Sequence, residues 1–222
     1  MTQTPFEQLV FQLTDRYGAP EAGSIARIVL EDEFGAKHVN SWQIPDENTQ
    51  KRFDFITQAL VAGQPVQYVL GMADFFGLKY KVTPAVLIPR QETEELVDWI
   101  LKWLKKEKML QPQLLDIGLG SGCIGITVKY KQRDVQLTGM EKSPEALAIA
   151  AENAQRLLGP DQVDFRLNDI LTQEPSAEKW HVIVSNPPYI QRIEAAIMPE
   201  HVLAHEPELA LFVEDPDALL FY

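Results

Sequence analysis

The feature that most constrains the fold is an alternation of short apolar segments and amphipathic helices that begins at residue 113. Helices are predicted from the end of the first apolar segment to about residue 130 and over residues 144–158. Four apolar segments are predicted to be buried strands: residues 114–117, 135–140, 163–167 and 181–185. Strands that alternate with helices form a parallel sheet with helices on its faces. The predicted fold class is therefore α/β, with a Rossmann-like sheet.

The first seventy residues follow another pattern, that of a small helical domain. Apolar residues recur at helical spacing over residues 4–17, 20–34 and 47–62. The first of these segments begins with Thr4-Pro5-Phe6-Glu7, a capping box with proline at the first helical position. We therefore interpret residues 1–70 as a helical domain.

An alternating run at residues 76–82 predicts a short strand or hairpin. Residues 71–91 are therefore interpreted as a linker that contains a β-hairpin. A helix is predicted from about residue 92 to residue 106, with acidic residues in its first turn and lysines in its last turn, as the helix dipole favours. Residues 92–222 form the second predicted domain.

Charge and composition narrow the function. The net charge is −12 over 222 residues, which disfavours a nucleic-acid partner because phosphates bind basic surfaces. No apolar run approaches the ~18 residues that a membrane helix needs. The chain has one cysteine, and its N-terminus has no secretory pattern, so we expect a cytoplasmic protein without disulfides.

A glycine loop joins the first strand of the sheet to the next helix. Its sequence is Asp116-Ile-Gly118-Leu-Gly120-Ser-Gly122. Glycine is needed where a ligand approaches the backbone or where φ is positive. The dinucleotide fingerprint G-x-G-x-x-G would require a third glycine at Cys123, so nicotinamide and flavin binding are disfavoured. A tight turn without a ligand is the simpler alternative.

Acidic residues end the next two predicted strands. Glu141 follows the second strand, and Asn168 and Asp169 follow the third. A carboxylate at the end of a strand can accept two hydrogen bonds from adjacent hydroxyl groups. A solvated surface acid is the alternative for Glu141, and pairs such as Asn168-Asp169 are common in loops.

The fourth predicted strand ends in Asn186-Pro187-Pro188-Tyr189. The prolines rigidify the backbone and remove two amide donors, so nearby carbonyl groups serve as acceptors. The Asn186 side-chain oxygen and the Pro187 carbonyl can together hold both N–H groups of a planar NH₂, and Tyr189 offers a flat apolar face. Such a set orients an amide nitrogen for in-line displacement and stabilises the positive charge that builds on it. A proline turn with a capping asparagine is the alternative.

These motifs resemble a broad class of enzymes and, more narrowly, one family. The glycine loop resembles the first motif of class I methyltransferases. The resemblance implies that S-adenosylmethionine binds there, with Asp116 on its ammonium group, Glu141 on the ribose hydroxyls, and Asn168 and Asp169 near the adenine. Loop glycines Gly118, Gly120 and Gly122 would surround its methionine and sugar.

The wider series of motifs resembles the HemK/PrmC family of protein-(glutamine-N5) methyltransferases over essentially the whole chain. These motifs are the segments at residues 65–71, 75–82, 86–94 and 143–147, N-P-P-Y, and Glu206-Pro207. The resemblance implies that peptide-chain release factors are the partners and that the glutamine of their GGQ loop is methylated at N5. Asn186, Pro187, Pro188 and Tyr189 would hold this acceptor, with Asn186, Pro187 and Tyr189 as the catalytic set. Residues 1–70 would recognise the release factor.

Departures and alternatives accompany this resemblance. The family commonly has proline at Gln91 and aspartate at Glu141. N-P-P-Y also occurs in enzymes that methylate bases, so an N-methyltransferase acting on an exocyclic amine of DNA or RNA is the alternative. A non-catalytic binding module is a third hypothesis. His201 and His205 lie four residues apart, and Glu206 follows them. A metal site would need a third well-placed ligand, so no metal is expected.

The end of the sequence bears on the expected sheet. The family's sheet continues beyond the fourth strand. Here, residues after Tyr189 are predicted to form a helix, residues 206–212 a loop and a short strand, and residues 217–222 the beginning of another helix. We therefore expect a methyltransferase sheet that is truncated at its C-terminal side. The fourth strand would then be an exposed edge beside Asn186, and turnover would be reduced.

Overall fold

The computed structural model describes residues 3–172, 177–198, 200–213 and 220–221. The chain divides into two compact units, Met1–Gly71 and Met72–Tyr222. The predicted class is confirmed: a helical unit comes first, and the second unit contains a parallel sheet with helices. In the described part of the chain, no helix is both long and apolar enough to span a membrane.

Among its described residues, the first unit contains four α-helices. The predicted capping box is present, since Thr4 Oγ1 accepts the Glu7 N–H at 3.3 Å and Glu7 Oε2 accepts the Thr4 N–H at 2.8 Å. A π-helical segment, Val29–Glu33, continues the second helix. The helices are α1 (Pro5–Tyr17), α2 (Ala19–Ile28), α3 (Glu47–Val61) and α4 (Val66–Leu70). Their core is built from the predicted inward positions, which include Leu9, Leu13, Ile25, Ile56 and Leu60.

The second unit begins with an antiparallel hairpin of β1 (Met72–Phe75) and β2 (Leu78–Lys81). The alternating run was predicted to begin at Phe76, but Phe76 and Gly77 form the turn of the hairpin. Both have positive φ, 52° and 74°, as a two-residue hairpin turn of this kind requires. The hairpin belongs to the second compact unit, which begins at Met72. The segment from residue 82 to residue 91 leads from it to α5 (Glu92–Glu107).

In the described residues, the central sheet of the second unit has four parallel strands: β3 (Gln113–Ile117), β4 (Gln136–Glu141), β5 (Val163–Leu167) and β6 (Val182–Ser185). Their order in the sheet is β5-β4-β3-β6. Helix α6 (Cys123–Lys131) joins β3 to β4, and helix α7 (Pro144–Leu158) joins β4 to β5. All four predicted strands are confirmed, and β6 forms one edge of this sheet.

Beyond the central sheet, the chain adds a second small parallel pair. Strand β7 (Ile190–Gln191) pairs with β8 (Phe212–Val213). Between them lie a 3-10 helix (Arg192–Ile197), α8 (Glu200–His205) and α9 (Glu208–Leu211). We predicted one helix here and a loop from residue 206, so the short helix α9 was missed. The predicted helix start at residue 217 lies outside the described residues.

The register of the sheet brings the ends of its strands together. Ile117 is paired with Met140 on one side and with Ser185 on the other, and Glu141 is paired with Leu167. The loops that follow these four strands therefore emerge at one edge. In open α/β sheets, ligands bind at this edge.

The close approach of α6 to the sheet requires glycine at position 125. A Cβ atom there would lie 2.7 Å from Leu137 Cδ1 and 2.9 Å from Asp116 Oδ2. We therefore expect Gly125→Ala to lower the free energy of unfolding by about 1–3 kcal/mol, the usual cost of overpacking. Chemical denaturation would measure this change.

Gly23 is the matched control for this substitution. It is also helical, in α2, and nothing lies within 4 Å of the position of a Cβ atom. Gly23→Ala should raise the unfolding free energy by about 0.5–1 kcal/mol, because alanine loses less backbone entropy on folding. Equal effects of the two substitutions would contradict the steric argument.

Candidate active site

A cavity of about 590 Å³ opens at the carboxyl ends of the strands. Its size lies within the range of small-molecule sites. The glycine loop, the end of β4, the loop after β5 and the Asn186-Pro187-Pro188 segment line it, and so do parts of residues 85–93 and 207–213. The register of the sheet thus assembles the predicted motifs around one space.

The glycine loop has a conformation that depends on its glycines. The φ angles of Gly118, Gly120 and Gly122 are 71°, 55° and 79°. The Gly118 N–H donates to the Met140 carbonyl at 2.9 Å, which ties the loop to β4. Gly118 and Gly120 line the cavity, and no side-chain atom lies within 4 Å of a Cβ atom built on either. Gly122 instead faces Ile126, so its role is close packing with α6.

Asp116 lies behind the loop and is only 1% exposed. Its Oδ2 accepts the Gly125 N–H at 2.9 Å. Helix α6 begins after Gly122, which has no side chain to cap it, so Asp116 supplies an acceptor for the first turn. Asp116 does not line the cavity, so its carboxylate supports the loop and helix from inside.

Burial raises the pKa of Asp116 to about 7, against the lowering effect of the Gly125 hydrogen bond. Between about pH 4 and 7, the folded protein therefore keeps a proton that the unfolded chain has lost. The stability contributed by this protonated group is complete below about pH 4 and is lost as the pH rises to 7. Asp116→Asn has no such proton to lose, so its stability relative to wild type should increase over this range. Urea denaturation at several pH values would measure it, and parallel profiles would contradict it.

Glu141 is positioned by three backbone N–H groups. Its Oε2 accepts from Gly120 at 2.8 Å, and its Oε1 accepts from Lys142 at 2.8 Å and from Ser143 at 2.9 Å. The side chain lines the cavity and is nearly buried. Glu141 thus joins the glycine loop to the end of β4 and presents carboxylate oxygens to the cavity.

Asp169 and Asn168 take different positions after β5. Asp169 lines the cavity, pairs with Lys142 at 2.9 Å and accepts the Leu171 N–H at 3.1 Å. The hydrogen bond from Lys142 is the main reason that the pKa of Asp169 is lowered. Asn168 does not line the cavity; its backbone N–H donates to the Glu141 carbonyl at 2.8 Å.

The N-P-P-Y segment contributes three of its four residues to the cavity. Asn186, Pro187 and Pro188 line it, whereas Tyr189 is 60% exposed and does not. The segment is anchored at its start, where Ser185 Oγ donates to the Ile117 carbonyl at 2.8 Å. After Tyr189 the chain enters β7. Asn186 and Pro187, which carry the acceptor atoms proposed from sequence, therefore line the same cavity as Glu141.

Some residues that shape the site carried no sequence signal. Asn153 is fully buried, and its side chain hydrogen-bonds to the N–H and the carbonyl of Lys81 at 2.7 and 3.0 Å. It also donates to the Ser121 carbonyl at 2.9 Å. Asn153 thus fastens the glycine loop to α7 and the hairpin. It stands within an ordinary amphipathic helix, where only a buried polar position would have marked it.

The charges around the cavity suit a cationic ligand. Each basic side chain lining it pairs with an acid: Lys142 with Asp169, Arg192 with Glu208 and Arg90 with Glu206. For the acids Glu141 and Glu145, the described residues provide hydrogen bonds but no ion pair. Two carboxylates are left to balance a positive ligand. S-adenosylmethionine fits this requirement, since its sulfonium and ammonium groups outweigh its one carboxylate.

Comparison with known proteins agrees with this site. The family model described as "Methyltransferase small domain" matches residues 94–209, which include the strands and most of the cavity. The "Release factor glutamine methyltransferase" of Flavobacterium psychrophilum is 39% identical over 220 residues, covering 97% of this chain and 76% of that protein. Its namesake in Bacteroides thetaiotaomicron is 39% identical over 215 residues, covering 95% and 75%.

Among solved structures, the hMettl16 catalytic domain aligns with a TM-score of 0.48 and 14% identity, over 78% of this chain and 60% of that one. The domain match and the site define a methyltransferase. The chain belongs to the family of release factor glutamine methyltransferases, so the resemblance found in the sequence is confirmed.

Proposed function

We propose that this protein transfers a methyl group from S-adenosylmethionine to the side-chain nitrogen of the GGQ glutamine in peptide-chain release factors. The observation that carries the proposal is the presence of Asn186-Pro187 and Glu141 on one cavity, in a chain 39% identical over 97% of its length to an enzyme of that name. A cytoplasmic setting, which a single cysteine favours, is part of the proposal.

The cofactor end of the cavity is assigned to the glycine loop and the β4 end. When bound, S-adenosylmethionine supplies a methyl group on a positively charged sulfur. Gly118 and Gly120 leave the backbone open to close contact, and Glu141 offers fixed acceptor oxygens for ribose hydroxyls. Asp169 is held by Lys142 and lines the cavity, and we assign it to the adenine.

The acceptor end is assigned to the N-P-P-Y segment. An amide nitrogen is a poor nucleophile because its lone pair is delocalised into the carbonyl. The Asn186 side-chain oxygen and the Pro187 carbonyl would accept its two N–H groups and hold the nitrogen in line for transfer. These fixed acceptors also stabilise the positive charge that develops on the nitrogen. We assign recognition of the release factor outside its GGQ loop to the helical unit, residues 1–70.

Transfer of labelled methyl from S-adenosylmethionine tests the proposal. Purified release factor should become labelled, and a release factor with the GGQ glutamine replaced by alanine should not. DNA and ribosomal RNA serve as parallel acceptors. Label on nucleic acid, or on the alanine-substituted release factor, would contradict the assigned acceptor.

A further inference from the structure

An ion pair at the cavity joins distant parts of the second unit. Arg90 Nη2 donates to Glu206 Oε1 at 2.6 Å, and Glu206 Oε2 accepts a longer contact from the Ile88 N–H at 3.4 Å. The Glu206 side chain is 2% exposed, whereas that of Arg90 is 38% exposed. Arg90 lines the cavity, and Pro207, directly after Glu206, does too.

Glu206 begins a stretch that forms one wall of the cavity. We call residues 206–213 the wall segment; most of its residues from Pro207 to Val213 line the cavity. At its far end, β8 pairs with β7, the strand that directly follows Tyr189. In its middle, Glu208 pairs with Arg192 at 3.1 Å. The wall segment is thus fastened to the chain that carries Asn186 at two places, and to residues 88–90 by Glu206.

We propose that Arg90 and Glu206 act together as positioning residues that set the wall segment against Asn186 and Pro187 and so fix the width of the acceptor end. The inference rests on the proposed function, since the acceptor is the glutamine assigned above. Among the described residues, no hydrogen bond or ion pair joins Arg90 or Glu206 to the glycine loop or Glu141, which are held by Met140, Asn153 and backbone N–H groups.

The physical character of the pair favours positioning over stabilisation. Burying a carboxylate such as Glu206 costs much of the energy that its pairing with Arg90 returns, so buried pairs contribute little net stability. We assign the pair a role in holding one geometry, because the buried Glu206 carboxylate has the Arg90 guanidinium and the Ile88 N–H as its partners among the described residues. A planar guanidinium also fixes direction better than a lysine. The arrangement thus specifies where the wall segment lies.

Three variants of the full chain test the inference: Glu206→Gln, Arg90→Gln and the double variant. Glutamine keeps the size of Glu206 and some hydrogen bonding while removing its charge. Methylation of release factor is measured at saturating cofactor and a range of release-factor concentrations, and cofactor affinity is measured by calorimetry. We expect each single variant to lose ~10-fold or more in kcat, since small misplacements of reacting groups have effects of this size. Cofactor affinity should be unchanged.

The double variant shows whether the two residues act as one unit. Its loss should be no greater than that of either single variant, because contacting residues with one shared role are not additive. Glu152→Gln is the matched control, since Glu152 pairs with Lys81 outside the cavity, and this variant should keep full activity.

Each outcome decides between the alternatives. Variants with a lower melting temperature but wild-type kcat would show a merely structural pair and overturn the inference, as would additive losses or a matching loss of cofactor affinity. An inactive wild type would instead overturn the proposed function, and the inference with it.

Discussion

Replacing Asn186 by alanine is expected to remove most methyl transfer to release factor while leaving cofactor affinity nearly intact. Asn186 directly follows β6 and lines the same cavity as the glycine loop, which holds the cofactor in our assignment. Without the Asn186 side-chain oxygen, one N–H of the acceptor amide has no partner. The amide group of the acceptor glutamine is then no longer held in one orientation. We expect kcat to fall ~100-fold or more, the scale for loss of one preorganised group at a reacting centre.

Asn186→Asp is the informative companion variant. It has nearly the same shape and keeps an acceptor oxygen, so it should retain part of the activity that the alanine variant loses. Single-turnover assays at saturating cofactor, together with calorimetry of cofactor binding, separate the two steps. If cofactor binding collapsed in Asn186→Ala and turnover at saturating cofactor survived, the assignment of Asn186 to the acceptor would be wrong.

The parts of the site that lie on the sheet could be predicted from sequence because they depend on local patterns. Each strand of the central sheet is a short apolar run, and a parallel sheet places the ends of such runs at one edge. Glu141 and Asn186, each at a strand end, were therefore expected on one cavity, and the structure brings them there. The positive φ angles of Gly118 and Gly120 agree with the turn expected from the glycine-rich sequence.

The residues that sequence could not place depend on contacts between distant parts of the chain. Asp116 was expected to hold the cofactor because it ends a strand before a glycine loop. Its side chain instead turns to the first turn of α6, a choice that Gly125 permits by lacking a Cβ atom. Arg90 and Glu206 are 116 residues apart and have no periodic pattern that would link them. Only the fold shows which acid meets which base.

Short elements were missed for a different reason. Helix α4 has five residues and α9 has four, fewer than the spacing of apolar residues needs to show a helical period. The Phe76-Gly77 turn was assigned to a strand because the apolar alternation continues through it. In each case, contacts elsewhere in the fold determine the local structure, and the segment is too short for its sequence pattern to predict it.

Replacing Glu141 by alanine is expected to weaken cofactor binding by about 1.5–3 kcal/mol, the scale of hydrogen bonds to a charged group. This corresponds to a roughly 10- to 150-fold rise in Kd. The structure adds a second reason to the sequence argument. Besides offering oxygens to the ribose, Glu141 accepts the Gly120 N–H, so the alanine variant also releases the glycine loop from the end of β4.

Two further variants separate these contributions when cofactor binding is measured by calorimetry. Glu141→Asp restores the acid that the family commonly has at this position, but its shorter side chain brings the carboxylate less far toward Gly120. It should therefore weaken binding less than alanine does if the ribose contact dominates, and as much if the hold on the loop dominates. Glu145→Ala controls for charge, because Glu145 also lines the cavity but is exposed and accepts only the Ser143 hydroxyl among the described residues. If Glu145→Ala weakened cofactor binding as much as Glu141→Ala, the effect would come from the negative charge around the cavity and not from a specific contact of Glu141. Unchanged affinity in Glu141→Ala would reject the assignment of Glu141 to the cofactor.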